Sequence, residues 1–188
     1  MGKSVGRLTA QARARAFGLG YKLHLAIDSK TMLPLACTLA SANQNEQKHS
    51  LNLLKKTELI LKQSAAGLKS VIADSQYSDV KLRDAVKEAV IPYRANQKRK
   101  VKGLLRVDKK FRTYGPDDQK EEYHKRPYIE AVYSFLKTQY SLTVNKVRDL
   151  GNVASYALFS IPCLVLNRGA AENIGRYDKA VSPTYFNT

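Results

Sequence analysis

The stretch that decides the reading of this chain is Tyr123-His-Lys-Arg126-Pro127-Tyr-Ile-Glu130-Ala-Val-Tyr-Ser-Phe-Leu-Lys137. Ile129, Val132, Phe135 and Leu136 recur at helical spacing and form a core-facing stripe. Arg126, Glu130 and Lys137 lie four and seven residues apart, so a helix stacks them in one column. Tyr123 joins that column only if the helix reaches back to it. Pro127 disfavours the helical conformation at Arg126 and suits a first helical turn, so the helix is expected from about Pro127 to Thr138. One carboxylate between two cations reads in two ways. It is either an exposed salt-bridge ladder or a metal-binding carboxylate flanked by phosphate-gripping cations.

Working outward, composition narrows the partners. Lys and Arg number 32 against 16 Asp and Glu, for a net charge of +16. That excess points to a polyanion, with nucleic acid the default, although ribosomal and membrane-surface proteins are basic too. Cys37 and Cys163 sit in apolar runs and read as reduced core residues, and no Cys/His group has zinc spacing. The N-terminus lacks the apolar region of a signal peptide. The apolar run 153–166 is short for a bilayer and contains Pro162, so no membrane partner is expected and a cytosolic protein follows.

Residues 1–20 are basic, free of acids and without a sustained strand pattern, and read as a tail or a DNA-touching arm, with a short helix open at 8–17. Residues 21–27 alternate in polarity as a half-buried strand, with His24 on its polar face. A turn at Asp28 leads to a second strand over 33–40. A helix follows over 45–62, its stripe Leu51, Leu54, Leu59 and Leu61, capped by Asn43 or Asn45 and closed by Gly67. Residues 68–73 form a buried strand that ends at Asp74, and Ser78 caps the next helix. A carboxylate at the carboxyl end of such a strand stands where α/β sheets bind ligands. The bland alternative is a turn residue satisfying local N–H groups.

Residues 89–93 form a last strand, ended or placed at an edge by Pro92. Arg94, Lys98, Arg99, Lys100, Lys102, Arg106, Lys109, Lys110 and Arg112 then run with only Asp108 opposing them. The run is a solvated loop or a grip on DNA backbone. The acidic cluster 117–122 is expected to fold back on it in the absence of DNA. A further apolar helix is expected over 152–167, kinked or restarted near Pro162, before a polar tail.

Tyr123, Arg126, Glu130 and Lys137, at gaps of three, four and seven, resemble the Y-R-E-K signature of insertion-sequence transposases of the DDE group. The paired strands from Gly20 to Asn43 are similar to the middle of that domain. Ala73-Asp74-Ser-Gln76-Tyr-Ser resembles its second aspartate motif, with Gln76 where a small residue is usual. The resemblance covers roughly residues 20–170. It implies an α/β fold, a ribonuclease-H-like mixed sheet with flanking helices, with the first strand missing. Its domains are a basic tail over 1–20, a partial catalytic domain over 21–170 with a basic then acidic insertion over 94–122, and a C-terminal tail over 171–188.

The activity this implies is metal-dependent cleavage and strand transfer at transposon ends, in the cytoplasm of a prokaryotic cell. Two Mg²⁺ or Mn²⁺ ions would be held by carboxylates in the order Asp, Asp, Glu. Asp74 corresponds to the second and Glu130 to the third, with the two carboxylates expected about 4–8 Å apart across one cleft. Tyr123, Arg126 and Lys137, with Lys98, Arg99 and Lys100, would contact DNA. The partner is double-stranded DNA, with a homodimer on it as the assembly to test. The first carboxylate has no obvious source. Asp28 is the earliest acid and aligns with a turn after the second strand, which makes the chain resemble a truncated copy. The rivals are a DNA-binding remnant without catalysis and an unrelated basic RNA-binding module.

Overall fold

A computed structural model describes residues 7–8, 20–94, 105–108, 110, 112–140, 142 and 149–176. Their elements, in order, are β1 (Arg7–Leu8), β2 (Tyr21–Ile27), β3 (Pro34–Ser41), α1 (Gln47–Gln63), β4 (Val71–Ile72), a 3-10 turn (Ser75–Tyr77), α2 (Val80–Asp84), β5 (Ala89–Val90), β6 (Arg106–Val107), β7 (Thr113–Tyr114), α3 (Asp117–Tyr123), α4 (Pro127–Gln139) and α5 (Leu150–Asn173). This is a mixed α/β architecture with three small sheets. The chain divides into two compact units, one of Met1–Lys3 and Asn45–Tyr128, the other of Ser4–Gln44 and Ile129–Thr188.

The second unit holds the antiparallel sheet β1-β2-β3. β2 and β3 pair from Tyr21↔Ser41 to Ile27↔Pro34, with a register shift at Ala26/Ile27. The hairpin matches the sequence reading, but the alternation does not set its burial. Leu23, His24 and Leu25 are all buried, and His24 is only 1% exposed, so it is not a surface residue. Side chains on both faces of β2 are therefore buried at this point, where it pairs with Cys37, Thr38 and Leu39 of β3. β1 also departs from expectation, because two residues of the supposed tail pair with β2 at Arg7↔Lys22 and Leu8↔Tyr21.

On the core face of β2, Leu23 and Leu25 cluster with Val132, Tyr133 and Leu136 of α4 and with Val153, Ala157, Ile161 and Leu164 of α5. The Tyr133 hydroxyl donates to the Leu23 carbonyl at 3.0 Å, which satisfies a polar tip inside an apolar cluster. α5 runs through Pro162 as one helix rather than restarting. Pro162 cannot donate to the Leu158 carbonyl, but both residues lie on the exposed side, where water can serve that oxygen. Leu158, Phe159 and Leu166 are exposed on this side, as is Cys163, which is therefore not a core residue. By length and composition α5 is apolar enough to cross a membrane, and 28% of its most apolar window is buried. Its other face, with Val153, Ala157, Ile161 and Leu164, belongs to the core.

In the first unit β4 and β5 pair in parallel, Val71↔Ala89 and Ile72↔Val90. They are much shorter than the apolar runs that contain them. Leu54, Leu82 and Ile91 form the core here, packed by Leu51, Leu68 and Val71. The buried face of α1 is Ser50, Leu53, Leu54 and Thr57, while Leu59 is 60% exposed and lies off the stripe. Leucine is apolar enough to be read as core at any helical position, and tertiary packing made the choice. The end of α1 is also not closed at Gly67. Ala65 takes the left-handed conformation, φ 53°, and the Ala66 N–H reaches the Leu61 carbonyl at 2.9 Å.

Candidate active site around Asp74

Asp74 lies two residues past the end of β4, with the Ala73 N–H between them still bound to the Val90 carbonyl at 3.3 Å. Its backbone is extended, φ −69° and ψ 156°, and the chain then turns through Ser75–Tyr77. The carboxylate caps this turn. Oδ1 accepts from the Ser75 hydroxyl at 3.1 Å and from the Gln76 N–H at 3.4 Å. Local N–H satisfaction is therefore real, but it uses one oxygen. The other, Oδ2, stands 3.9 Å from Nη2 of Arg126.

The turn is held by three side chains from elsewhere in the unit. Gln47, at the start of α1, donates to the Ser78 carbonyl at 2.6 Å. Arg83, on α2, donates to the Ser78 hydroxyl at 3.1 Å and to the Ile91 carbonyl, with its guanidinium 4.0 Å from the Tyr93 ring centre. Arg94 donates from Nε to the Ser75 carbonyl at 2.9 Å and from Nη2 to the Gln76 carbonyl. Ser78 is fully buried and does not cap α2; Asp79 does, accepting from the Lys81 N–H at 3.3 Å. Burial pushes the Tyr77 phenol well above its ordinary range, with the Glu46 and Asp74 carboxylates adding to the effect, so Tyr77 stays neutral.

The signature residues divide between the two units. α3 ends at Tyr123, a turn covers 124–126, and α4 starts at Pro127. Tyr123 is therefore off the α4 column. Arg126 sits at the mouth of α4, its N–H on the Tyr123 carbonyl at 3.0 Å. Asp74, Tyr123 and Arg126 belong to the first unit. Glu130, exposed in the first turn of α4, and Lys137, half-buried in the last, belong to the second. A carboxylate in a first helical turn is favoured by the helix dipole, as is a lysine in the last.

Asp28, weighed as a substitute metal ligand, is a hairpin residue. Its Oδ2 accepts from the N–H and the hydroxyl of Thr31, each at 2.7 Å. Burial raises its pKa, but the hydrogen bonds from Thr31 and the Lys30 charge outweigh this and hold it below the ordinary value.

The basic run is more structured than a loop where it is described; Lys98, Arg99 and Lys100 lie outside the described residues. β6 and β7 form a hairpin, Arg106↔Tyr114 and Val107↔Thr113. Asp108 organises its turn, accepting from the Lys110 N–H, the Arg112 N–H and Arg112 Nε at 2.8–2.9 Å and from the Tyr114 hydroxyl at 3.2 Å. The acidic cluster makes local pairs on α3 and its turn, Asp117 with Lys120 at 2.6 Å and Glu122 with Lys125.

The roles of Gln47, Arg83 and Arg94 were not legible in the sequence. Arg94 was hidden at the head of a charge run. Its one clue is its position just past β5, the parallel neighbour of β4.

No match was found among curated proteins or among solved structures. Residues 6–167 match the family described as Transposase DDE domain. That match runs from just before β1 into α5 and takes in Asp74, Arg126 and Glu130, and on its extent the chain belongs to the DDE transposase family.

Proposed function

We propose that this chain forms the catalytic face of a ribonuclease-H-like DDE transposase, cleaving and joining double-stranded DNA at transposon ends, with Asp74 and Glu130 as two of its carboxylates. The observation that carries the reading is the seat of Asp74. A carboxylate at the end of a parallel strand, in a turn fixed by Gln47, Arg83 and Arg94, faces an arginine of the family signature. β1, paired with β2 through Arg7 and Leu8, carries no acid in those two residues and supplies no first carboxylate. Work in the cytoplasm and assembly as a homodimer on DNA belong to the same proposal.

The family implies Mg²⁺ or Mn²⁺. The hard oxygens of Asp74 suit such an ion. Among the described residues no three His, Cys, Asp or Glu stand together, and Glu130 enters as a ligand on the family resemblance alone. When bound, such ions neutralise charge on the attacking and leaving oxygens of a phosphodiester. The chain's own groups do the positioning. The Arg126 fork would exchange part of its attraction to Asp74 for a backbone phosphate. Lys137 would add a point charge, and Tyr123 a ring for stacking or a hydroxyl for hydrogen bonding. Lys98, Arg99 and Lys100 would grip flanking phosphates without reading sequence.

The test is cleavage of transposon-end duplex with Mn²⁺ by the purified chain, beside Asp74→Asn and Glu130→Gln. Cleavage lost in both variants is the expected result. Cleavage that survives both overturns the carboxylate assignment. DNA binding without any cleavage would support the second reading, an inactive DNA-binding remnant.

A further inference from the structure

The Ser75 carbonyl and the Gln76 N–H belong to one peptide group and point in opposite directions. Arg94 Nε holds the carbonyl side at 2.9 Å, and Asp74 Oδ1 holds the N–H side at 3.4 Å. The same guanidinium reaches the next carbonyl, that of Gln76. Arg94 thus fixes two successive peptide planes, and the first is the one that orients Asp74. Gln47 and Arg83 act further along, at Ser78. A cation on the carbonyl also polarises the peptide and strengthens its N–H as a donor to the carboxylate. With Oδ1 tied in this way, Oδ2 is the oxygen turned to Arg126.

We propose that Arg94 is a positioning residue for Asp74 rather than a contact to DNA backbone. Through the Ser75–Gln76 peptide it sets which carboxylate oxygen is presented to the reacting phosphate and its metal. The inference rests on the reading of Asp74 as a catalytic carboxylate. A lysine can replace the charge and one hydrogen bond but not the two-carbonyl fork.

The test uses the full chain and Mn²⁺ alone as the probe. Paramagnetic broadening of the Ser75 and Gln76 amide resonances is titrated in the wild type, Arg94→Lys, Arg94→Gln and Asp74→Asn, with thermal midpoints measured alongside. Asp74→Asn should abolish the broadening. Both Arg94 variants should raise the Mn²⁺ midpoint about 10-fold or more, as loss of support behind a ligand does. If Asp74→Asn titrates like the wild type, or the wild type shows no broadening, the reading of Asp74 falls and the inference with it. If Asp74→Asn abolishes broadening while both Arg94 variants keep the wild-type midpoint in their folded fraction, the inference alone is overturned. Lowered thermal midpoints with that same outcome make Arg94 a stabilising residue only. In DNA titrations both variants should keep the wild-type salt slope. A slope reduced by about 0.9 would make Arg94 a phosphate contact and also overturn the inference.

Discussion

Arg126 Nη2 lies 3.9 Å from Asp74 Oδ2, and the two side chains are only 16% and 17% exposed. The separation is too long for a hydrogen bond, so the attraction is chiefly that of two charges in a partly dry setting. An exposed pair of this kind is worth little, whereas an abandoned buried charge is costly. A double-mutant cycle with Asp74→Asn and Arg126→Met should therefore give a coupling of about 1–2 kcal/mol in urea unfolding. Each single variant should also lower stability, because both side chains are largely shielded from water. A coupling near zero would mean that the two groups meet only incidentally.

The end of α1 offers a change that should strengthen the fold. Ala65 holds φ 53°, where its Cβ crowds the backbone, while Gly67 stands beyond the turn. Ala65→Gly should stabilise the protein by about 0.5–1 kcal/mol, despite the greater freedom glycine gives the unfolded chain. Gly67→Ala should be near neutral, since an added Cβ there meets nothing within 4 Å. Paired thermal melts decide the matter. A destabilised Ala65→Gly would show that the left-handed turn is not the stable closure of α1.

How far the chain could be read ahead depended on whether local chemistry or tertiary contact set the outcome. The β2–β3 hairpin, the start of α4 at Pro127 and the place of Asp74 after a strand follow from alternation, proline geometry and an apolar run that ends in an acid. Burial did not follow so simply. His24 looked like an outer residue because β2 alternates, yet it is as buried as Leu23 and Leu25 on the opposite face. Leu59 and Cys163 looked internal because they are apolar, yet helix packing left both exposed. The support of Asp74 was least legible, because Gln47 and Arg94 come from distant segments and act through backbone carbonyls that have no sequence signal.

The β6–β7 hairpin should respond to acid. The hydrogen bond from the Arg112 N–H, then those from the Arg112 side chain, Lys110 and Tyr114, hold Asp108 below its ordinary value of 3.8. A carboxylate with a depressed folded pKa contributes stability above its unfolded pKa and loses it as pH falls through the folded one. The turn should therefore be ordered above pH 3.8 and loosen below it. Amide shifts of Lys110 and Arg112, followed from neutral pH downward, should titrate together. Asp108→Asn should shift both amides at neutral pH and abolish that titration.

Asp28 gives the sharpest separation between a structural acid and a catalytic one. Both hydrogen bonds from Thr31 fall on one of its oxygens, and its own N–H closes the hairpin on the Leu33 carbonyl at 2.9 Å. Met32, at φ 55°, makes the tight return that these bonds secure. Asp28→Ala should cost about 1–2 kcal/mol, as loss of hydrogen bonds to a charged acceptor does. The loss should appear as faster exchange of the Thr31 and Leu33 amides. Because the folded pKa of Asp28 is depressed, its contribution should be present above pH 3.8 and fade as pH falls below it. Mn²⁺-dependent cleavage of transposon-end DNA, measured per folded molecule, should be the same in Asp28→Ala as in the wild type. If that cleavage vanished while the hairpin amides stayed protected, Asp28 would act as the first carboxylate and its bonds to Thr31 would be secondary.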